Sequence, residues 1–142
     1  MKAKQAVVLV NQKNRKIGIE EKIKAHREGK LHRAFSIFIF SSKGELLIQQ
    51  RAKTKYHSGG LWSNTVCSHP KPNEGLEFAA INRLLDETGI KCDLRYVGQI
   101  IYDLKVGLLT EHELDHIFIG HSDVKRPRFN QREVSDVKWM KI

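Results

Sequence analysis

The stretch that decides the fold reads Glu74-Gly-Leu-Glu-Phe-Ala-Ala-Ile-Asn-Arg-Leu-Leu-Asp-Glu-Thr-Gly-Ile90. Leu76, Ala80 and Leu84 recur at intervals of four, which places them on one stripe of an α-helix. Gly89 stands where a helix C-terminus favours glycine, because glycine tolerates the left-handed backbone that ends many helices. The pattern predicts an amphipathic helix from Glu74 to Thr88, packed through this stripe against the rest of the domain.

Strand-like segments lie on both sides of this helix. Ala34–Phe40 is apolar on both faces, which is typical of a central strand. An irregular segment is predicted from Ala52 to Asn73. The predicted strands are Ala6–Val10, Ile17–Ile19, Ala34–Phe40, Glu45–Arg51, Tyr96–Leu104, Glu113–Ile119 and Val137–Met140, with a loop around Gly107. This order predicts a mixed α/β (α+β) domain, with the helix packed on a largely antiparallel or mixed sheet.

The size and composition are those of one globular domain. At 142 residues, the chain is long enough for one hydrophobic core and too short to suggest two. Apolar residues make up 40% and charged residues 29%, the balance of a soluble protein. The longest apolar runs are far too short to span a bilayer, and the N-terminus lacks the apolar core of a signal peptide. We expect a soluble cytoplasmic protein without membrane contact.

The net charge of +9 has three interpretations: a solvated basic surface, a nucleic-acid-binding surface, or a pocket for a polyanionic small molecule. The positive residues are dispersed, and no basic run alternates with aromatic residues that stack on bases. A nucleic-acid partner is therefore not expected. A diphosphate needs only a few well-placed lysines and arginines, so charge alone leaves the other two interpretations open.

The predicted helix belongs to a longer spaced pattern that begins at Ser68. Five residues separate Ser68 from Glu74, and seven separate Glu74 from the run Asn82-Arg-Leu-Leu-Asp-Glu-Thr-Gly-Ile90. This spacing resembles the Nudix box, Gly-x5-Glu-x7-Arg-Glu-U-x-Glu-Glu-x-Gly-U, in which U is a bulky aliphatic residue. Four positions differ, namely Ser68, Asn82, Arg83 and Asp86. Nudix hydrolases hold Mg²⁺ with this acidic cluster, so a cation at Arg83 should weaken such a site and disfavours hydrolysis.

Residues outside the box carry a closer resemblance. The segments that carry it are Leu31-His-Arg-Ala-Phe-Ser36, Gln50-Arg-Ala52, Gly60-Leu-Trp-Ser-Asn-Thr-Val-Cys-Ser-His-Pro70 and Thr110-Glu-His-Glu-Leu-Asp-His116. They resemble the type 1 isopentenyl-diphosphate isomerases, and the Trp-x-Asn-x-x-Cys-x-His element is the most specific of them. The resemblance implies a single Nudix domain over residues 1–142, a mixed β-sheet with the Nudix helix and a second short helix packed against it.

The resemblance also implies a metal site made of histidines and glutamates. The residues at the family's five ligand positions are His26, His32, His69, Glu111 and Glu113. Glu111 and Glu113 are two apart in an extended segment, so both side chains leave one face and can reach one ion. Imidazoles with carboxylates suit Mn²⁺, Zn²⁺ or Fe²⁺ better than Mg²⁺. The family is usually described with Mn²⁺ or Zn²⁺ at this position.

The family's reaction moves the double bond of isopentenyl diphosphate to give dimethylallyl diphosphate. One proton is added to the alkene and another is removed from the allylic carbon. The family assigns these transfers to a cysteine and a glutamate on opposite faces of the substrate, which match Cys67 and Glu113, and Tyr102 matches a tyrosine that assists the glutamate. Simpler interpretations stay open, because a lone cysteine is usually a small buried hydrophobe and Tyr102 is equally typical of a half-buried strand.

The remaining matches concern the diphosphate. The residues at the family's phosphate-binding positions are Lys22, Arg51, Lys55 and Arg83, and Glu87 matches the residue that holds Mg²⁺ against the phosphates. Arginine offers a planar fork to phosphate oxygens, whereas lysine acts as a point charge. The alternative for Arg83 and Glu87 is an i,i+4 ion pair on an exposed helix face, and for the lysines a solvated surface position.

The chain ends at Trp139-Met-Lys-Ile142, just after the last predicted strand, whereas family chains run further and cover the pocket with a C-terminal lid segment. We expect either a truncated form or a pocket that is closed differently, for example by a partner. Two other functions stay open. Glu74, Asp86 and Glu87 also suit a Nudix pyrophosphohydrolase of a nucleoside diphosphate derivative, and the short C-terminus suits an inactive Nudix-fold binding domain. The chain is expected to be a monomer or homodimer.

Overall fold

The computed structural model describes residues 5–53 and 59–142. Within these residues the chain forms one sheet of nine strands and two helices. The elements are β1 (Ala6–Val10), β2 (Lys16–Glu21), α1 (Lys22–Glu28), β3 (His32–Phe40), β4 (Glu45–Arg51), β5 (Trp62–Ser63), β6 (Val66–Ser68), α2 (Leu76–Thr88), β7 (Arg95–Val106), β8 (Leu109–His121) and β9 (Val134–Lys141). Neither helix in this part of the chain is long and apolar enough to cross a membrane.

β3 is the central strand of the sheet, as its apolar sequence predicts. It pairs in parallel with β8 along its whole length and antiparallel with β1, β4 and β6. Phe35, Ile37 and Ile39 leave one face, are fully buried, and pack with α2 in the main hydrophobic core. The opposite face carries His32 and Ser36, which are also buried. One face of β3 therefore supplies the core, and the other supplies polar groups.

α2 is the helix predicted from the apolar stripe. It begins at Leu76, two residues later than predicted, because the extended backbone of Gly75 precedes it. Ala80 and Leu84 are buried against the sheet. Gly89 ends the helix in the left-handed conformation, with φ of 72°.

α1 is the second, shorter helix, and it follows β2 directly. The Glu21 carboxylate caps its first turn by accepting a hydrogen bond of 2.8 Å from the Lys24 backbone N–H. Gly29 ends it with φ of 67°. The helix packs against β8 and buries Ala25 and His26 almost completely. It therefore delivers a histidine to the strand that carries the two predicted glutamate ligands.

The prediction of an irregular segment from Ala52 to Asn73 is wrong in its second half. Two short strands form there, since β5 pairs with β4 and β6 pairs with β3. With two and three residues, neither strand is long enough to show a periodic pattern of its own. Both exist because a longer strand beside them offers backbone hydrogen-bonding groups.

β7 and β8 form a longer hairpin than predicted. The predicted loop between them shrinks to a turn of two residues, Gly107 and Leu108. Gly107 has φ of 63°, which two-residue hairpin turns favour. Glu111 therefore lies inside β8 together with Glu113, on the same face of the strand.

Candidate active site

Strands β6, β3 and β8 lie side by side and bring the predicted proton-transfer residues together. Ser36 of β3 is directly opposite Cys67 of β6, and His32 of β3 is directly opposite Glu113 of β8. Because His32 and Ser36 are four residues apart on one strand, their side chains leave the same face. Cys67 and Glu113 therefore flank β3 on one side of the sheet.

Four side chains converge at Glu113. His26 comes from α1, His32 from β3, and His69 from the residue after β6. Their Nε2 atoms lie 3.8, 3.0 and 2.8 Å, respectively, from Glu113 Oε2. One ligand atom from each residue can be chosen so that all four lie within 4.8 Å of one another. We call these four residues the histidine cluster.

Hydrogen bonds outside the histidine cluster orient two of its rings. His26 Nδ1 lies 2.7 Å from the Lys22 carbonyl oxygen, and His32 Nδ1 lies 2.9 Å from the Lys30 carbonyl oxygen. A carbonyl only accepts, so both Nδ1 atoms carry the hydrogen, and each Nε2 is directed toward Glu113 Oε2, where it can bind a cation or share a proton with the carboxylate. Burial lowers the pKa of His26 to about 4 and also lowers the pKa of His69. Neutral imidazoles beside a carboxylate fit a divalent metal ion.

Glu113 has a further contact through its other carboxylate oxygen. Tyr102, its partner in the β7–β8 register, donates its hydroxyl hydrogen to Glu113 Oε1. Burial raises the pKa of Tyr102, so this hydroxyl keeps its proton. Burial opposes ionisation of Glu113, but the His69 and His32 rings outweigh it and hold the pKa of this carboxyl well below its ordinary value.

Glu111, the other predicted carboxylate ligand, lies near the histidine cluster without being part of it. Its side chain lines the same cavity as Glu113. Its carboxylate is outside the group of four whose ligand atoms lie within 4.8 Å of one another. Its role as a fifth ligand therefore stays a prediction.

Cys67 lies on the other flank of β3, where its sulfur contacts uncharged groups. Its thiol donates to Asn64 Oδ1 at a distance of 2.9 Å, and Ser36 Oγ lies 3.7 Å from the sulfur. Although the residue is exposed to the cavity, protein atoms crowd the sulfur, and this burial raises the pKa of Cys67 to about 12. The thiol therefore keeps its proton at neutral pH.

A different part of the cavity carries Arg83 and Glu87 of α2. Arg83 Nη2 lies 2.7 Å from Glu87 Oε2, and Arg83 Nη1 lies 3.3 Å from Asp86 Oδ2. The i,i+4 ion pair is therefore present, but Glu87 is buried rather than on an exposed face. Gln49 of β4 donates to Glu87 Oε1 at 3.0 Å. Burial raises the pKa of Glu87 despite these partners.

One cavity of about 640 Å³ joins these groups. Its wall includes the apolar side chains of Leu61 and Trp62. The predicted site residues that line it are Lys22, His26, Arg51, Cys67, His69, Arg83, Glu87, Tyr102, Glu111 and Glu113. His32 lies behind this wall and is fully buried. Lys55, the remaining predicted residue, lies outside the described residues.

Several polar residues near the cavity are absent from the sequence-based prediction, and three of them contact predicted site residues. Gln49 and Glu133 line the cavity, and Glu133 lies 3.7 Å from Arg83. Asn64 contacts the sulfur of Cys67. Asn64 is the asparagine of the Trp-x-Asn-x-x-Cys-x-His element, so a signal for it was present. Gln49 and Glu133 belong to no motif, and only the packing of β4 and the start of β9 reveals them.

Comparison with known proteins assigns the chain to a family. The family profile described as NUDIX domain matches residues 30–142. Isopentenyl-diphosphate Delta-isomerase 2 of Aromatoleum aromaticum is 49% identical over 137 residues, which cover 96% of this chain and 72% of the relative. The chain belongs to the type 1 isopentenyl-diphosphate isomerase family of the Nudix superfamily. Another isomerase of this family, from Photorhabdus laumondii, is 49% identical over 97% of this chain and 78% of the relative.

Solved structures share the fold of this isomerase family member at much lower identity. DR0079 from Deinococcus radiodurans aligns with a TM-score of 0.77 at 19% identity, over 96% of this chain and 83% of that chain. The MutT protein from Methanosarcina mazei Go1 aligns with a TM-score of 0.66 at 20% identity, over 78% of this chain and 77% of that chain. These likenesses concern the fold alone. The residues in the cavity must therefore distinguish an isomerase from other Nudix proteins.

Proposed function

We propose that this chain interconverts isopentenyl diphosphate and dimethylallyl diphosphate by proton transfers at two sides of one cavity. The observation that carries the proposal is the placement of Cys67 and Glu113 on the two flanks of β3, both lining that cavity. The isomerases of Aromatoleum aromaticum and Photorhabdus laumondii match 96% and 97% of this chain, which includes both residues.

Cys67 and Glu113 take opposite roles in the proposed proton transfers. The thiol holds a proton at rest, whereas the carboxyl is ionised and lies against the Tyr102 hydroxyl. The reaction is reversible, so the group that donates a proton in one direction accepts it in the other. Water would trap the cationic species between the two transfers, and we propose that Leu61 and Trp62 help to exclude it.

The histidine cluster, with Glu111 as a fifth ligand, would hold a divalent ion, either Mn²⁺ or Zn²⁺. When bound, the ion would supply positive charge that tunes the proton affinity of Glu113. The three imidazoles face Glu113 Oε2, whereas Oε1 faces Tyr102. The cluster thereby keeps one carboxylate oxygen in a fixed place and leaves the other for proton transfer.

The diphosphate would bind among the cations of the cavity wall. Arg51, Arg83 and Lys22 line the cavity and would contact phosphate oxygens. Glu87 would hold Mg²⁺, which would supply positive charge to phosphate oxygens, as is common for phosphate substrates. Because Arg83 and Glu87 are already paired at 2.7 Å, a metal-bound diphosphate would meet a cation and a carboxylate at one place. Lys55 stays a prediction as the fourth cation.

The residues of α2 disfavour the alternative of a pyrophosphohydrolase. Hydrolysis in this superfamily depends on several carboxylates that share Mg²⁺ ions. Arg83 takes one of those positions and forms ion pairs with both Glu87 and Asp86. A guanidinium between two acids reduces the negative charge that would hold more than one Mg²⁺.

The direct test is to incubate the purified protein with isopentenyl diphosphate, Mg²⁺, and Mn²⁺ or Zn²⁺, and to follow dimethylallyl diphosphate. We expect product from the wild type and from the control variant Cys92→Ala, and none from Cys67→Ala. No product from the metal-loaded wild type would contradict the proposal. Phosphate release from a panel of nucleotides would then favour the hydrolase, and failure to retain any transition metal would favour a binding domain.

A further inference from the structure

The sulfur of Cys67 is surrounded by a small set of polar groups that the proposed proton transfers do not yet use. Asn64 Oδ1 accepts the thiol hydrogen at 2.9 Å, and Ser36 Oγ lies 3.7 Å from the sulfur. Asp115 lies behind Ser36 and accepts its hydroxyl hydrogen at 2.7 Å. We call Asn64, Ser36 and Asp115 the thiol holder.

Asn64 can present only its oxygen to the sulfur. Its Nδ2 donates to two backbone carbonyls, those of Ile37 in β3 and Val66 in β6, each at 3.0 Å. Both amide hydrogens are thereby used. Rotating the amide by 180° would turn its oxygen toward two carbonyl oxygens and lose both bonds, so this orientation is disfavoured. The amide oxygen is therefore a fixed acceptor, and the thiol hydrogen must point to it.

Ser36 is held by its own partner in the same way. Its hydroxyl hydrogen is given to Asp115 Oδ2, so the oxygen of Ser36 presents lone pairs rather than hydrogen to the sulfur. Backbone register keeps this contact in place, because Ser36 is directly opposite Cys67 in the β3–β6 pairing. The sulfur thus faces two acceptor oxygens and has one hydrogen to share between them.

Asp115 indicates that these contacts are kept for a role at Cys67 and not for the stability of the fold. Its Oδ1 is the one buried side-chain oxygen or nitrogen without a hydrogen-bond partner among residues 5–53 and 59–142. A buried carboxylate that is only half satisfied destabilises a fold, and a neutral residue in contact with Ser36 would avoid this cost. The ionised carboxylate does what a neutral residue does poorly, since it takes the hydroxyl hydrogen of Ser36 and has no hydrogen of its own to return.

We propose that the thiol holder fixes the direction of the Cys67 S–H bond, so that Asn64, Ser36 and Asp115 are positioning residues for proton transfer at this cysteine. The consequence for catalysis rests on the proposed function. In the step at Cys67, an S–H bond breaks, a C–H bond forms, and the sulfur keeps the electron pair. Glu113 takes the allylic proton, and after product release Glu113 gives a proton to solvent while Cys67 takes one from solvent. The holder gives the thiol one arrangement at rest, so a bound substrate meets one thiol orientation. The hydrogen then turns from Asn64 Oδ1 to the substrate carbon by a single rotation about the Cβ–Sγ bond, which raises the fraction of productive encounters.

The proposal can be tested by infrared spectroscopy of the S–H stretching band, because this band moves to lower wavenumber when the thiol donates a hydrogen bond. Subtracting the spectrum of Cys67→Ser isolates the Cys67 band, and Cys92→Ala removes the other thiol. We expect the wild-type band at lower wavenumber than that of a simple alkanethiol dissolved in an apolar solvent, where the thiol has no hydrogen bond. We expect Asn64→Ala to move it up, and Ser36→Ala to move it less, since the sulfur lies 2.9 Å from Asn64 Oδ1 and 3.7 Å from Ser36 Oγ.

A kinetic measurement links the band to turnover. Asn64→Ala should lower kcat by about tenfold, the effect of one lost hydrogen bond, and change KM by less than about twofold. Asn82→Ala, on the exposed face of α2, is the matched control and should leave both unchanged. A rise in KM with kcat unchanged would contradict the positioning role.

The spectroscopic outcome does not depend on activity. If the wild-type Cys67 band lies at the position of a thiol without a hydrogen bond, the proposal is overturned, even where Asn64→Ala does not fold. An unchanged band in a folded Asn64→Ala protein overturns it as well. Failure of the proposed function shows itself differently, as a wild type with a shifted band and no isomerase product.

Discussion

The strands on the two sides of β3 place a carboxyl group, Glu113, and a thiol, Cys67, in environments that shift their pKa values in opposite directions. On the β8 flank, Glu113 is surrounded by the imidazoles of the histidine cluster and the Tyr102 hydroxyl. On the β6 flank, Cys67 faces the oxygens of Asn64 and Ser36. The pKa of Glu113 is held well below its ordinary value, whereas burial raises that of Cys67 to about 12.

The difference shows how one strand can separate a proton donor from a proton acceptor. The two groups lie on β8 and β6, the strands that flank β3, yet their neighbours push their pKa values in opposite directions. Basic and donating neighbours favour an anion, and acceptor neighbours in a crowded site favour the neutral thiol. The assignment of acid and base therefore depends on the neighbours more than on the two residues themselves.

The largest expected effect is the loss of turnover when either flank loses its proton-transfer group. Cys67→Ala and Glu113→Gln should each lower kcat by about a thousandfold or more, the upper part of the range for acid–base groups. Metal analysis separates the flanks, because only Glu113→Gln removes a carboxylate from the histidine cluster. Unfolding curves check that both variants fold. Near-normal activity in either variant would contradict its role in proton transfer, and equal metal loss in both would contradict the placement of the metal site at Glu113 alone.

The ionisation of Cys67 should be suppressed by several hundredfold. Its pKa is raised from 9.0 to about 12, and a raised pKa in an acid means that the native state keeps the proton until higher pH. At pH 9, about one native thiol in a thousand is ionised, against about half in the unfolded chain. Alkylation by iodoacetamide, followed by peptide mass spectrometry, should be correspondingly slow in buffer and fast in urea. Equal rates in both would contradict a crowded, neutral thiol.

Metal removal should destabilise the protein by about 3 kcal/mol, if the free ion is present at about a hundred times its dissociation constant. A chelator should therefore lower the Tm of the wild type and of Cys67→Ala by similar amounts. His32→Ala should show little change on chelation, because His32 is a buried member of the histidine cluster. If the chelator still lowers the Tm of His32→Ala as much as that of the wild type, the metal does not bind at the histidine cluster.

Tyr102→Phe should have the smallest effect, about a tenfold loss in kcat, because it deletes one hydrogen bond to Glu113 and leaves the carboxylate in place. The same variant should leave the alkylation rate of Cys67 unchanged, since Tyr102 acts on the other flank. A changed Cys67 rate would show that the two flanks are coupled.

Much of the fold could be predicted because its signals are local. The four-residue spacing of Leu76, Ala80 and Leu84 predicts α2, and the continuous apolar run of Ala34–Phe40 predicts a central strand. The short strand β6 could not be predicted this way. It has three residues, and it forms only because β3 supplies the backbone partners.

The candidate site divides in a similar manner. Cys67 and His69 lie in one short, specific element with Asn64, and the sequence alone was sufficient to select the first two as site residues. Residue types and spacings of this kind determine which chemistry is available, and with it the family. They do not determine distances between atoms.

Tertiary structure decided which groups meet. The approach of His26 on α1 to Glu113 on β8, within 3.8 Å, depends on helix packing and on strand register. The same is true of Glu111, which shares the cavity but stays outside the close group of four. It is true again of the Asn64 oxygen, which two carbonyls on neighbouring strands turn toward the thiol. The physical reason is that hydrogen bonds and metal coordination depend on ångström-scale distances, and these are set by contacts between segments far apart in the chain.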